Sequence, residues 1–129
     1  MSGTPVVVDS SGWIEVFTNG GHADHFLALM ADPCSLVVPA ITIYEVHKWV
    51  LREYGEAKAI QAAAAMQCGQ VVDLDSRLAL AAAQLSHALQ LPMADSIILA
   101  TARIFEATLW TQDAHFEGIE GVQYIEKKS

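Results

Sequence analysis

The chain has 129 residues, of which 53% are hydrophobic and 17% are charged, and its formal net charge is −8. This length is typical of one domain that can bury its own core, and so high an apolar content excludes a disordered chain. We therefore expect a single domain spanning residues 1–129. The acidic balance argues against binding nucleic acid through a broad basic face.

Membrane insertion and secretion are not indicated by the sequence. No apolar run reaches the ~18 residues needed to cross a bilayer. The segment Met1–Pro5 lacks the basic start of a signal peptide. Cys34 and Cys68 are far apart and form no CxxC pair, which favours two reduced thiols over a disulfide or a zinc site. These features predict a cytoplasmic protein without membrane contact.

Short apolar runs alternate with helical stretches along the whole chain. In chain order, the predicted elements are strand Val6–Val8, helix Trp13–Phe17, helix His22–Ala31, strand Ser35–Val38, helix Ile41–Tyr54, helix Glu56–Gln67, strand Val71–Leu74, a helix from Asp75 or Ser76 to Leu89, helix Ala94–Glu106, strand Thr108–Thr111 and strand Val122–Ile125. Helix 94–106 is apolar on most of its surface and is predicted to be central. The alternation indicates an α/β fold with a parallel sheet and helices on both faces.

Asp9 and Asp113 follow predicted strands, and in a parallel sheet ligands bind beyond the carboxyl ends of the strands. Asp9 comes directly after the first strand, and Asp113 comes just after the fourth. Each also has a purely structural interpretation. Asp9 is equally well explained as a helix N-cap, although Ser10 and Ser11 could serve as caps too. For Asp113 alone, a turn residue is the favoured interpretation.

Two further acids lie on predicted helices. Asp95 is in the first turn of an apolar helix, where a buried charge needs a partner. Glu45 has Ile41 one turn before it and Trp49 one turn after it on the helix. On this residue alone, the purely structural interpretation, a partly exposed Glu, is slightly favoured over a functional one. An α/β domain of this order could bring all four acids to one cleft. Such a cluster would repel itself unless a cation joined it, and oxygen ligands select Mg²⁺ or Mn²⁺.

Four segments give the chain a resemblance to a known family. They are Val7–Ser11, Thr42–Val46, Ala94–Ala102 and Leu109–Phe116. In this order, and over this length, they resemble the PIN-domain family, and within it the VapC toxin ribonucleases of toxin–antitoxin pairs. Each segment alone is a weak indication of the family, but the four segments together are specific for it.

The resemblance implies a five-stranded PIN fold and an Mg²⁺- or Mn²⁺-dependent endoribonuclease. It implies that Asp9, Glu45, Asp95 and Asp113 are catalytic, with Asp9, Asp95 and Asp113 as metal ligands and Ser10 and Thr111 as polar support. It also implies homodimers and a cognate VapB-type antitoxin that occludes the site. In the mechanism expected from it, a water activated by the metal attacks phosphorus in line and the 3′ oxygen leaves.

Other side chains carry weaker indications. Lys48 and Arg52 follow Glu45 by three and seven residues and are candidates for RNA contact, although a solvated face is modestly preferred. Trp13 and Trp49 are candidates for a dimer or antitoxin surface. His115 is assigned no chemistry.

Three other function classes compete with the ribonuclease interpretation. A phospho-receiver domain needs paired acids after strand one, an Asp at the end of strand three and a matching Lys after strand five. Here Asp9 stands alone among serines, Asp73 is the only candidate for the second position, and no Lys matches. A phosphatase with an Asp nucleophile usually has a second Asp two residues on, where this chain has Ser11. The remaining alternative is a catalytically silent PIN-like module that binds RNA or protein.

Overall fold

Five parallel strands form one sheet in the computed structural model, which describes residues 3–128. The strands are β1 (Val6–Val8), β2 (Leu36–Pro39), β3 (Gln70–Val72), β4 (Thr108–Thr111) and β5 (Val122–Tyr124). Their order across the sheet is β3-β2-β1-β4-β5, and every neighbouring pair is parallel. The predicted parallel sheet is confirmed: β1 and β4 have the predicted bounds, and the ends of β2, β3 and β5 differ from the prediction by one or two residues.

Six α-helices and one short 3₁₀ turn connect the strands within residues 3–128. They are α1 (Ser10–Phe17), α2 (Ala23–Leu29), α3 (Ala40–Tyr54), α4 (Glu56–Met66), α5 (Ser76–Leu89), α6 (Met93–Ile104) and the 3₁₀ turn Ala114–Phe116. Gly55 joins α3 to α4 with a φ of +89°, a backbone conformation that favours glycine. None of these helices is both long and apolar enough to cross a membrane.

Side chains on successive strand residues pack into separate cores on the two faces of the sheet, as the pleat requires. Val8 and Val38 join the cluster formed with α1, α2, α3 and α4. Val7 and Val37 join the cluster that contains Ile98 and Leu99 of α6. The prediction of helices on both faces is therefore confirmed.

Helix α6 is the central helix of the second face. Its residues 95–102 are all buried, which confirms the prediction drawn from its apolar sequence. Trp13 is also buried, with 4% of its surface exposed, and packs in the first core. Its proposed place on a dimer or antitoxin surface is therefore wrong, because the face of α1 that carries it packs inward.

The sheet has its topological switch point between β1 and β4. From β1 the chain continues to β2 on one side, while β4 pairs on the other side. Val8 is in register with Trp110, so both strands end at the same edge, and the Asp9 amide donates to the Trp110 carbonyl at 3.2 Å. A crevice at the carboxyl ends of such strands is where open α/β sheets bind ligands.

Candidate active site

Asp9 lies at the switch point with both carboxylate oxygens held by hydrogen bonds. Oδ1 accepts from the Ser11 hydroxyl at 2.6 Å and from the Gly12 amide at 3.3 Å, and Oδ2 accepts from the Thr111 hydroxyl at 2.7 Å. Only 3% of the residue is exposed. Asp9 is the N-cap of α1, so the structural interpretation of this residue holds alongside its place in the acidic cluster.

Glu45 reaches the same edge from the second turn of α3. Its Oε1 accepts a hydrogen bond from the Ser10 hydroxyl at 2.5 Å, a contact across 35 residues of sequence. Ser10 and Thr111, the two residues predicted as polar support, therefore each donate to one of the four acids.

Asp95 and Asp113 form the tightest part of the cluster, together with a histidine. The Nδ1 atom of His115 lies 3.2 Å from Asp95 Oδ2 and 3.0 Å from Asp113 Oδ1. One ligand atom from each of the three residues lies within 4.8 Å of the others, a spacing that could hold a metal ion. Asp9 is not part of this group.

Burial and mutual repulsion change the protonation of two of the acids. Burial raises the pKa of Asp9 to about 6, although hydrogen bonds from Ser11, Thr111 and the Gly12 amide lower it. Burial also raises the pKa of Asp95 to about 7. Asp113, Asp9 and Glu45 raise that pKa further through their charges, while His115 lowers it. The charges of all three other acids thus act on Asp95, because the structure brings the four predicted carboxylates together.

The residues present fit a divalent cation. Burial raises the pKa of Asp9 and of Asp95 because removal from water disfavours the ionised carboxylate. A cation among these groups would favour the ionised form, and carboxylate oxygens are the ligands that hard ions prefer.

Two contributors to the site were missed from the sequence. Ser11 donates to Asp9 and accepts from the Gln112 amide at 2.9 Å, which joins the ends of β1 and β4. His115 lies between two of the acids. Its spacing of two residues from Asp113 was the one available indication, and it is not specific.

The two basic candidates do not pair with the four acids. Lys48 places Nζ 5.8 Å from the centre of the Tyr44 ring, and Arg52 pairs with Glu53 at 3.0 Å on the exposed face of α3. Two surface grooves of about 450 and 550 Å³ lie elsewhere and contain none of the four acids. The acidic cluster therefore lies outside both grooves. Two of its members, Asp9 and Asp95, are buried.

Comparisons with solved structures give the same fold. A toxin–antitoxin complex from Klebsiella pneumoniae superposes with a TM-score of 0.76 at 26% identity, covering 93% of this chain and 99% of that one. VapC20 of Mycobacterium tuberculosis, a toxin that cleaves the sarcin–ricin loop, gives 0.75 at 17% identity and coverage of 96% and 99%. DNA-bound VapBC of Salmonella typhimurium gives 0.73 at 15% identity and coverage of 95% and 98%.

Sequence comparison is decisive at the level of the family. No curated protein sequence matches this one significantly. The PIN domain family, however, matches residues 6–122, which includes all four acids and every strand except the last two residues of β5. The chain therefore belongs to the PIN-domain family.

Proposed function

We propose that this chain, as one domain over residues 1–129, is a metal-dependent endoribonuclease and the toxin of a VapBC-type pair that acts in the cytoplasm. The single observation that carries the proposal is the convergence of Asp9, Glu45, Asp95 and Asp113 at the switch point of a PIN-family sheet. The likeness to VapC toxins, one of which cleaves the sarcin–ricin loop, supports the nuclease assignment.

Asp9, Asp95 and Asp113 would hold the ion, which we propose to be Mg²⁺ or Mn²⁺. When bound, it would supply an activated water and stabilise negative charge on a phosphoryl oxygen of the RNA. The bound ion would lower the raised pKa of both buried acids, because an adjacent positive charge favours the ionised carboxylate.

The other residues orient these acids. Ser11, Thr111 and the Gly12 amide hold Asp9 in one orientation, and the Ser10 hydroxyl holds Glu45. Glu45 is partly exposed, so it can support the metal shell through water and stay accessible to substrate. We assign no nucleophilic side chain, because hydrolysis by an activated water needs none.

RNA contact is proposed for Lys48 and Arg52. Both are exposed on the helix that carries Glu45, and their positive charges can meet phosphates next to the acidic site. With a net charge of −8, the protein repels RNA at long range, so binding depends on such local contacts.

The partners proposed are a VapB-type antitoxin and a second copy of the chain. The antitoxin follows from the likeness to the Klebsiella toxin–antitoxin complex. Support for a homodimer comes from exposed apolar side chains on neighbouring helices, since Leu80 of α5 is 69% exposed and Met93 of α6 is 72% exposed. The mass of the purified protein in solution would test the dimer.

The experiment that tests the activity is cleavage of a mixed RNA pool by purified protein with Mg²⁺, with Mn²⁺ and with excess EDTA. We expect discrete fragments with either ion and none with EDTA. Cleavage that persists in EDTA would contradict the metal requirement. Absence of both cleavage and metal binding would favour the alternative, a catalytically silent binding module.

A further inference from the structure

His115 is the one imidazole within residues 3–128 that contacts the acidic cluster. Its Nδ1 atom lies 3.2 Å from Asp95 Oδ2 and 3.0 Å from Asp113 Oδ1. Both distances allow Nδ1–H to act as a donor to the two carboxylates. The neutral ring can also carry its proton on Nε2, which leaves a lone pair on Nδ1 between the same two oxygens.

These two distances match the spacing of ligands on one metal ion. Neighbouring ligands of an octahedral ion with bonds of about 2.1 Å are roughly 3.0 Å apart. The Nδ1 atom already lies at such a distance from two predicted metal ligands. It could therefore join their coordination shell with little rearrangement.

The backbone holds His115 in this place. Asp113 caps the 3₁₀ turn by accepting from the His115 amide at 2.9 Å. The next residue, Phe116, is fully buried in the core beneath the second face of the sheet. The backbone of His115 thus lies between a capped turn and a buried anchor, which keeps its side chain within reach of the two acids.

We propose that His115 is a nitrogen ligand of the metal site, through Nδ1, and that it makes the site favour Mn²⁺ over Mg²⁺. This inference rests on the proposed function, which supplies the metal. Mg²⁺ takes oxygen ligands almost exclusively, whereas imidazole nitrogen favours transition-metal ions. A nitrogen ligand beside Asp95 and Asp113 is thus a determinant of metal specificity that the acids alone do not provide.

The test is electron spin-echo spectroscopy of the full chain loaded with Mn²⁺, alongside competition between Mn²⁺ and Mg²⁺ for the site. We expect the nitrogen modulation of a directly bound imidazole, with frequencies that change when histidine is labelled with ¹⁵N. In His115→Ala the modulation should vanish, and the preference for Mn²⁺ over Mg²⁺ should fall roughly tenfold or more. The matched control is His87→Ala, which removes an exposed histidine on α5. It should change neither the nitrogen modulation nor the preference for Mn²⁺ over Mg²⁺.

Bound Mn²⁺ without nitrogen modulation in the unsubstituted protein would overturn the assignment, and this measurement does not depend on how the variant folds. Modulation retained in His115→Ala, or an unchanged ion preference, would also overturn it. RNA cleavage that needs a metal and Asp9, in a protein without nitrogen coupling, would overturn the ligand assignment alone. A protein that binds no metal would overturn the proposed function as well.

Discussion

Thr111 connects two of the four acids through one buried hydroxyl group. Its Oγ1 donates to Asp9 Oδ2 at 2.7 Å and accepts from the Asp113 amide at 2.8 Å. The residue is fully buried. If its hydroxyl were removed, both partners would therefore lose a hydrogen bond that water cannot easily replace. Thr111 therefore stabilises the ionised form of Asp9 and fixes the start of the turn that carries Asp113.

Thr111→Val keeps the shape and removes the hydroxyl. We expect the free energy of unfolding to fall by about 1–3 kcal/mol, because two buried polar groups lose their partner. The pKa of Asp9 should rise further, which would weaken metal binding at neutral pH. Chemical denaturation and metal titration would measure the two effects.

Thr101→Val is the matched control for this change. Thr101 is equally buried, but its hydroxyl donates only to the Ile97 carbonyl within α6, away from the acids. Equal losses of metal affinity in the two variants would contradict the role given to Thr111.

Asp95 is expected to destabilise the metal-free fold when it ionises. Its pKa is 3.8 in the unfolded reference and about 7 in the fold. The folded protein therefore binds the proton more tightly, and this stabilisation is complete below pH ~4 and lost as the pH rises through about 7.

Asp95→Asn should thus make the metal-free protein more stable at pH 8 than the unsubstituted protein, by up to a few kcal/mol, with a much smaller difference at pH 4. Denaturant unfolding at the two pH values would measure this. The exposed Asp73 offers a control, because Asp73→Asn should give no comparable gain. A variant less stable than the unsubstituted protein at pH 8 would show that the contact with His115 outweighs the burial of charge.

The sequence allowed some of these residues to be predicted, and the reasons differ. Asp9 and Asp113 follow strands, and Asp95 lies among apolar neighbours, so their positions made them candidates without excluding a cap or a turn residue. Glu45 depended on the family resemblance. Which of two adjacent serines contacts which acid depends on the rotation of α1, and no pattern in the sequence reveals it.

At the scale of elements, α1 and α2 pack unusually closely behind Asp9. A Cβ atom added to Gly12 would lie 2.8 Å from Phe26 Cδ1 and even closer to Val8 Cγ1. Any larger residue would force the buried Val8 and Phe26 side chains to shift. The amide of the same residue donates to Asp9, so packing and site geometry depend on one position.

Gly12→Ala should therefore destabilise the protein, although alanine is the better helix former. Overpacking costs about 1–3 kcal/mol, while the gain in helix propensity is at most about 1 kcal/mol. Thermal unfolding would measure the difference. Gly3→Ala is the control, because no atom lies within 4 Å of the added Cβ there. A Gly12→Ala protein as stable as its parent would contradict this close packing.

Element types were predictable from the sequence, but their ends were not. The second strand was predicted at Ser35–Val38 and spans Leu36–Pro39. Its last residue pairs with Val72 of β3, so contact with a neighbouring strand determines where it ends. The 3₁₀ turn that carries His115 was not predicted, because three residues are too short for a periodic pattern.

At the scale of the whole molecule, the parallel topology brings distant parts of the chain to one edge. Asp9 and Thr111 are 102 residues apart and share a hydrogen bond, because β1 and β4 are neighbours in the sheet. The sequence predicted parallel strands but not their order, and the order is what places Asp113 beside Asp9. Because this acidic edge is buried, we expect the stability of the whole fold to depend on pH and on metal.

Added Mg²⁺ or Mn²⁺ should raise the free energy of unfolding, and more so at pH 8 than at pH 5. The raised pKa values, about 6 for Asp9 and about 7 for Asp95, mean that protons compete with the ion at low pH. A concentration of one hundred times Kd should add about 2.7 kcal/mol. Calorimetry at both pH values would test this, and equal gains at pH 5 and pH 8 would contradict it.

The central claim is that the buried acids at the switch point carry out RNA hydrolysis. Its most direct test is the initial rate of RNA cleavage by Asp9→Asn compared with Asp73→Asn, an acid-to-amide change at an exposed site. Asparagine is also a good N-cap, so α1 should remain intact. We expect Asp9→Asn to lose activity by roughly a hundredfold or more and Asp73→Asn to keep it. A folded Asp9→Asn protein that cleaves RNA as fast as Asp73→Asn would contradict the account.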